Sequence, residues 1–469
     1  MRRIAALVLL LAACSSGTNP APEQHSAAPK VYAYSLVAPL QASPSGLVAR
    51  AVLPAGGSCP QLEVTGADPV QMDRRTPGAT TKGYFDDVVV CSAPIPTGAT
   101  AASVAGQDIP AAMPTDLQTV AAFGDSGCLI KKVVQNCRED WPLRPLAEQV
   151  ARAQPDLIID VGDYYYRERA CPSDAQDKCG GSPAPARGVP FIDSAAGWIA
   201  DYFDPVSPMF SAAPLLAVRG NHELCSEAGN GYFLFLDYRD GSEDVCAPRA
   251  DGRAPVVQTK PWKVDVPLIT GKDLRLVVVD SAHGWDYGIS PWAGRQRGLY
   301  QRAATMAKNP GGLSWLVTHQ PPLAITTTKY NPGNVPNWTN WVAVDQTVGS
   351  RGLLKRYAAI VSGHLHLSQV VKIPGLPPQF VFGGGGTFLD PPDGYTTPKY
   401  GPLANSKGEP MVPGFKPYPK DEYRWIEVQH AFGLARPNPA QGAWDVEYIK
   451  PDGSTLATCT VRNEVPDCG

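Results

Sequence analysis

The stretch Leu215-Leu216-Ala217-Val218-Arg219-Gly220-Asn221-His222-Glu223 passes from an apolar run through a glycine to an amide, an imidazole and a carboxylate. A short apolar run closed by glycine suits a buried strand that ends in a sharp turn, because glycine lets the backbone bend and approach closely whatever lies beyond it. The same grammar recurs along the chain. Thr119–Phe123 leads into Gly124-Asp125-Ser126-Gly127 and Leu157–Val161 into Gly162-Asp163. Ser314–Val317 leads into Thr318-His319, and Ala358–Val361 into Ser362-Gly363-His364-Leu365-His366. A further run, Leu274–Val279, is followed by His283, which would either touch substrate or simply be solvated. Helix-compatible stretches at Leu146–Ala153 and Arg295–Ala307 alternate with these runs, which predicts a layered α/β domain. Open α/β sheets build their sites just past the carboxyl ends of their strands, where these polar residues stand.

Two carboxylates, an amide oxygen and imidazoles form a mixed oxygen and nitrogen set that suits Fe, Mn or Zn. The set exceeds what one catalytic metal with open positions requires. An aspartate bridging two ions ~3.5–4 Å apart accounts for the surplus and predicts a two-metal hydrolase. Each motif alone is weak, since an aspartate after a strand is usually a turn residue and Gly-His-x-His can be a surface pair. Their shared placement carries the reading. Of only seven histidines in the chain, His222, His319, His364 and His366 lie inside the motifs.

This series resembles the metallophosphoesterase, or calcineurin-like, superfamily over roughly residues 117–435. The resemblance implies a four-layer α/β/β/α sandwich, here preceded by a small all-β domain. Within the superfamily the first motif usually reads Asp-x-His, whereas here Asp125-Ser126-Gly127 lacks the histidine, and Gly162-Asp163-Tyr164-Tyr165-Tyr166 places a tyrosine three residues after the second aspartate. That pair of departures resembles purple acid phosphatases, although three tyrosines in a row would also serve aromatic packing. The resemblance implies two metal ions: Fe(III) held by Asp125, Tyr166 and His366, and a divalent Fe, Zn or Mn held by Asn221, His319 and His364, with Asp163 bridging. It also implies that His222 protonates the leaving oxygen of a small phosphorylated substrate. Glu223 would orient that histidine or start a helix. Phosphate monoesters are the expected substrates. A phosphodiesterase or nucleotidase on the same site is the alternative, separable by comparing mono- and diesters. A metal-binding envelope lipoprotein without turnover is the alternative of another class, and the complete ligand set argues against it.

The rest of the chain bounds the setting. At 43% hydrophobic and 18% charged residues, 469 residues can build a large core, and a net charge of −3 without a basic stripe excludes nucleic acid as a general partner. The 45 glycines and 48 prolines predict many turns between short elements. Gly383–Gly386 is not a phosphate loop, since no Gly-Lys-Ser/Thr follows; it would be a tight turn or a loop near the metals. Residues 31–115 contain strand-like runs such as Gly46–Leu53 and Asp87–Cys91 and no histidine, and read as the small β domain. The catalytic domain spans 117–469, and its end, from Trp425, alternates as closing β structure. The stretch Tyr330–Trp341 offers Trp338 and Trp341 to a leaving group, or is a packed loop. Ser182–Gly188 and Pro391–Pro402 read as loops.

At the start, Arg2 and Arg3 precede a short apolar run ending in Leu11-Ala12-Ala13-Cys14, which looks like a bacterial lipobox. It predicts export, with residues 1–14 as the signal, Cys14 lipidated as the anchor to the cell envelope, and 15–30 as a flexible tether. Removing Cys14 from eleven cysteines leaves ten, and export makes their oxidation the expectation. They fall in sequence-local pairs: Cys59 with Cys91, Cys128 with Cys137, Cys171 with Cys179, Cys225 with Cys246, and Cys459 with Cys468.

Overall fold

The computed structural model describes residues 30–76, 84–179, 193–239, 245–284, 291–322, 324, 352–372, 376–390, 423–438 and 443–469. Cys14, the tether up to residue 29, and the segments Ser182–Gly188, Tyr330–Trp341 and Pro391–Pro402 lie outside these residues. Among the described residues no helix is long and apolar enough to cross a membrane.

Alternation along the strands builds the layers. Val120 and Ala122 face inward while Ala121 and Phe123 face outward, and Leu276 and Val278 alternate in the same way with Val277 and Val279. A strand with apolar residues on both faces must be covered on both. Two sheets therefore stack on one shared core, each with helices on its outer face. Among the described residues the first sheet has eleven strands. In spatial order they are Val465–Cys468, Thr455–Arg462, Ala443–Ile449, Phe432–Asn438, Val120–Phe123, Leu157–Asp160, Leu215–Ala217, Tyr32–Val37, Leu47–Pro54, Val88–Pro94 and Asp73–Arg75. The second has seven: Trp262–Pro267, Asp273–Val279, Leu313–Thr318, Ala359–Ser362, Gln379–Phe382, Ser368–Val371 and Tyr423–Glu427.

Helix Leu143–Arg152 packs Leu143, Leu146 and Val150 on the outside of the first sheet. Helix Ala293–Met306 packs Leu299, Tyr300 and Ala303 on the outside of the second. The result is the α/β/β/α sandwich. Strands Val120–Phe123, Leu157–Asp160 and Leu215–Ala217 run parallel, as do Asp273–Val279, Leu313–Thr318 and Ala359–Ser362. Each parallel set therefore ends its strands on one edge, and the site forms there.

The described residues of 31–115 are strand and turn, but they do not form one sheet of their own. Tyr32–Val37 pairs parallel with Leu215–Ala217, through Leu36 and Leu215, and carries three further strands into the large sheet. Only Gln61–Thr65, Val70–Gln71, Ala101–Val104 and Gln107–Ile109 make a separate small sheet, whose Leu62 and Val104 join the common core. The reason is burial: Tyr32–Val37 is apolar on both faces and needs the neighbour that Leu215–Ala217 provides.

The five cysteine pairs are bonded as Cys59–Cys91, Cys128–Cys137, Cys171–Cys179, Cys225–Cys246 and Cys459–Cys468. Three of them close loops that leave the strand ends of the first sheet, where backbone order must come from something other than a ladder. Closing loops of this size stabilises by roughly 2–4 kcal/mol each in the chain-entropy account.

Candidate metal centre

Asp125 follows strand Val120–Phe123 and Asp163 follows Leu157–Asp160, and both are buried. Each has a left-handed backbone, with φ of 57° and 59°, as does His364 at 72°. Residues with a Cβ rarely adopt it, and such strain gathers where a site holds its residues in one pose. The two aspartate loops brace each other: the Asp125 N–H donates to the Gly162 carbonyl at 2.8 Å and the Ser126 N–H to the Asp163 carbonyl at 2.9 Å. The motif glycines serve a purpose beyond turning. A methyl on Gly220 would collide with Asp163 Oδ1, and one on Gly363 with Asp125 Oδ2. They make room for the carboxylates.

The carboxylates meet at Tyr166. Its Oη lies 3.2 Å from Asp125 Oδ1, 3.0 Å from Asp163 Oδ2 and 3.0 Å from His366 Nε2. His366 donates from Nδ1 to the Phe388 carbonyl at 2.8 Å, so its Nε2 lone pair faces the phenol. A phenol has one proton and cannot satisfy three acceptors. On the other side, His319 donates from Nδ1 to the Val161 carbonyl at 2.8 Å. Its Nε2 lone pair then faces Asn221 Oδ1 at 3.1 Å and Asp163 Oδ2 at 3.2 Å. The His364 N–H donates to Asp125 Oδ2 at 2.8 Å, and donor atoms of Asp163, His319 and His364 lie within 4.8 Å of one another.

Burial, then Asp163, pushes the Asp125 carboxyl well up. Burial also works against the Asp163 carboxylate, but positive charge on His319 and His222 outweighs it, so protonating those imidazoles holds that group well below the usual range. Burial, followed by Asp163 and Asp125, raises the Tyr166 phenol. Among the described residues no Lys or Arg pairs with either aspartate. With the imidazoles neutral, lone pairs face lone pairs in a buried pocket that no Lys or Arg of the described residues offsets. Metal cations resolve such an arrangement, and the donor set fits a pair of them.

A family model described as calcineurin-like phosphoesterase matches residues 119–368, from the first strand-end motif to just past the last. The chain belongs to the calcineurin-like phosphoesterase family. Members of this metallophosphoesterase family use a dinuclear metal centre. The fold is similar to that of purple acid phosphatase PPD1 from yellow lupin (Lupinus luteus) seeds, with a TM-score of 0.53 and 12% identity over 92% of this chain and 74% of that one. It is also similar to that of PhoD, with a TM-score of 0.51 and 11% identity over 92% of this chain and 90% of that one. No curated protein sequence matches.

Around the phosphoesterase centre the remaining candidates take distinct places. His222 sits at the rim, its Nε2 4.0 Å from Asp163 Oδ2 and its N–H donating to Asp163 Oδ1 at 2.9 Å. Glu223 does not touch that imidazole. Its carboxylate accepts the N–H groups of Gly220, Asp163 and Tyr164, which caps the helical turn Asn221–Glu223 and ties it to the Asp163 loop. His283 stands apart: its Nε2 contacts the Val257 carbonyl at 3.0 Å, a carbonyl that Arg219 also binds. Burial, then Arg219, pulls it down to about 4, which keeps it neutral. Gly383–Gly386 lies against the first motif, with the Gly385 N–H on the Gly124 carbonyl. Of the three consecutive tyrosines, Tyr164 bonds the Val218 carbonyl and Tyr165 packs on Trp198, both in the core, while Tyr166 alone enters the centre.

Asp201 supports the centre without any signal in the sequence. It sits on a π-helical turn, Ile199–Phe203, and accepts the N–H groups of Tyr166 and Cys128 and the Arg167 guanidinium. It holds the Asp125 and Tyr166 loops in mutual register, and no local pattern marks it. Glu168 is the first acidic residue after Asp163, and that position alone gives it no role.

Proposed function

We propose that the protein is an exported phosphatase that hydrolyses phosphate monoesters at an Fe(III)–divalent centre of purple acid phosphatase type. The observation that supports this most directly is Tyr166, whose Oη meets Asp125, Asp163 and His366 where the first motif lacks a histidine. Asp125, Tyr166 and His366 would hold Fe(III), because a hard phenolate oxygen favours a trivalent ion. Asn221, His319 and His364 would hold divalent Fe, Zn or Mn, and Asp163 would serve both. Bound there, the ions supply Lewis acidity that neutralises phosphate charge and lowers the pKa of water.

The chain's own residues do the rest. His319 and His366 are fixed in one tautomer by backbone carbonyls, so their Nε2 atoms need no reorganisation. Burial pulls the His222 imidazole down to about 4, and Asp163 pulls the other way. A phosphate dianion arriving beside it favours its cation, which then passes a proton to the leaving oxygen.

Purified protein should show a broad visible band from phenolate-to-Fe(III) charge transfer, lost in Tyr166→Phe. An active, iron-containing protein without colour would sink the purple reading. Comparison of kcat/KM on mono- and diesters decides the substrate class. We further propose that Cys14 carries the lipid anchor: Cys14→Ser should move the protein from the membrane pellet to the soluble fraction, and continued sedimentation would require another anchor.

A further inference from the structure

The phosphoesterase reading gives His222 a proton to deliver but does not say what aims it. The side of the imidazole turned away from the centre answers this. Its Nδ1 lies 3.4 Å from Glu168 Oε1. Both atoms are buried, and among the described residues neither has another hydrogen-bond partner. The second oxygen of Glu168 is taken by Lys131 Nζ at 2.7 Å. Glu168 and Lys131 come from adjoining loops, since the Glu168 N–H donates to the Ile130 carbonyl at 3.1 Å and Ile130 bridges Arg167. The plane of the imidazole is set separately, by the Tyr166 ring 4.0 Å away between centroids.

Two facts argue that this is more than an ion pair. Lys131 is 57% exposed, and a pair with one partner in water contributes little to stability. Meanwhile Glu168 Oε1 is buried, and leaving a buried carboxylate oxygen unpaired costs about 1–3 kcal/mol or more. The group that can satisfy it is the N–H of His222.

We propose that Glu168 is the positioning residue for His222, accepting its Nδ1–H so that Nε2–H points at the leaving oxygen, with Lys131 locking the carboxylate. At 3.4 Å the contact is longer than a formed hydrogen bond, as contacts of this kind often are before substrate arrives. In the step, the oxygen of a water forms a bond to phosphorus, its protons staying with the phosphate product. The phosphorus–oxygen bond to the leaving group breaks and its electron pair stays on the leaving oxygen. The Nε2–H bond breaks and its proton goes to the same oxygen. The imidazole is left neutral, with Nδ1–H still directed at Glu168.

This rests on the phosphoesterase reading, and its test separates the two. Glu168→Ala and Glu168→Gln are compared with wild type on p-nitrophenyl phosphate, whose leaving group needs little protonation, and on glycerol phosphate, whose alkoxide needs it. Glu168→Ala should lose about 10- to 100-fold in kcat on glycerol phosphate and less than about threefold on p-nitrophenyl phosphate, with KM and bound metal unchanged. Glu168→Gln keeps the shape and one acceptor oxygen and should recover part of the loss. Equal losses on both esters, no loss on either, or a drop that follows metal content would overturn the proposal. A metal-loaded wild type inactive on both esters would bring down the phosphoesterase reading, and the proposal with it.

Discussion

The two sheets bring different chemistry to their shared edge. The eleven-stranded sheet ends in oxygen donors, Asp125, Asp163, Tyr166 and Asn221, together with the rim residue His222. The seven-stranded sheet ends in imidazoles alone, His319, His364 and His366. Neither edge holds a complete donor set, and each orients the other's residues. The imidazole of His319 is fixed by the Val161 carbonyl from the opposite sheet, and Asp125 is fixed by the N–H of His364. The centre is a property of the seam. It should therefore be sensitive to any change that moves one of these side chains against another, across the seam or along one edge.

The largest break in that comparison is Asp163→Ala, which removes the carboxylate that faces Tyr166 on one side and His319 on the other. Both metals should be lost and activity should fall by about 10³-fold or more. Retention of two metals, by elemental analysis, would show that Asp163 does not join the edges. Next come Gly220→Ala and Gly363→Ala, which press a methyl into the carboxylates of Asp163 and Asp125. Each should weaken metal retention about 10- to 100-fold against a chelator, although neither glycine is a ligand. Gly294→Ala, whose methyl would meet open space, is the control and should leave metal retention unchanged. The smallest effect belongs to Tyr164→Phe. It removes a hydroxyl from the core side of the tyrosine run and should cost about 1 kcal/mol by denaturant unfolding while the visible band persists. A band lost with Tyr164 rather than Tyr166 would place the phenolate on the wrong residue.

The position of His283 shows why a candidate histidine cannot be judged from a strand end alone. It follows an apolar run as His319 does, yet its ring bonds the Val257 carbonyl, because the segment before strand Trp262–Pro267 folds back over it. Nothing in the residues around His283 announces Val257. Glu223 teaches the same lesson: sequence offered it a histidine or a helix start, and the fold uses it to tie two loops together.

The sequence by itself determined the layers and the strand-end residues that the fold gathers at one edge. Strand-length apolar runs that alternate between two buried faces demand covering layers, and polar residues directly after glycines at strand ends mark where those layers expose a reactive edge. The missing first-motif histidine and the tyrosine after Asp163 were equally legible, because both are local. Tertiary structure alone decided that strands from residues 31–115 extend the catalytic sheet through Leu36 and Leu215, and that Asp201 reaches Tyr166 and Cys128. It alone decided that Glu168 faces His222. Local periodicity states which faces of an element must be buried. It does not state against which distant segment, and hydrogen bonds between such segments are settled only when the whole core closes.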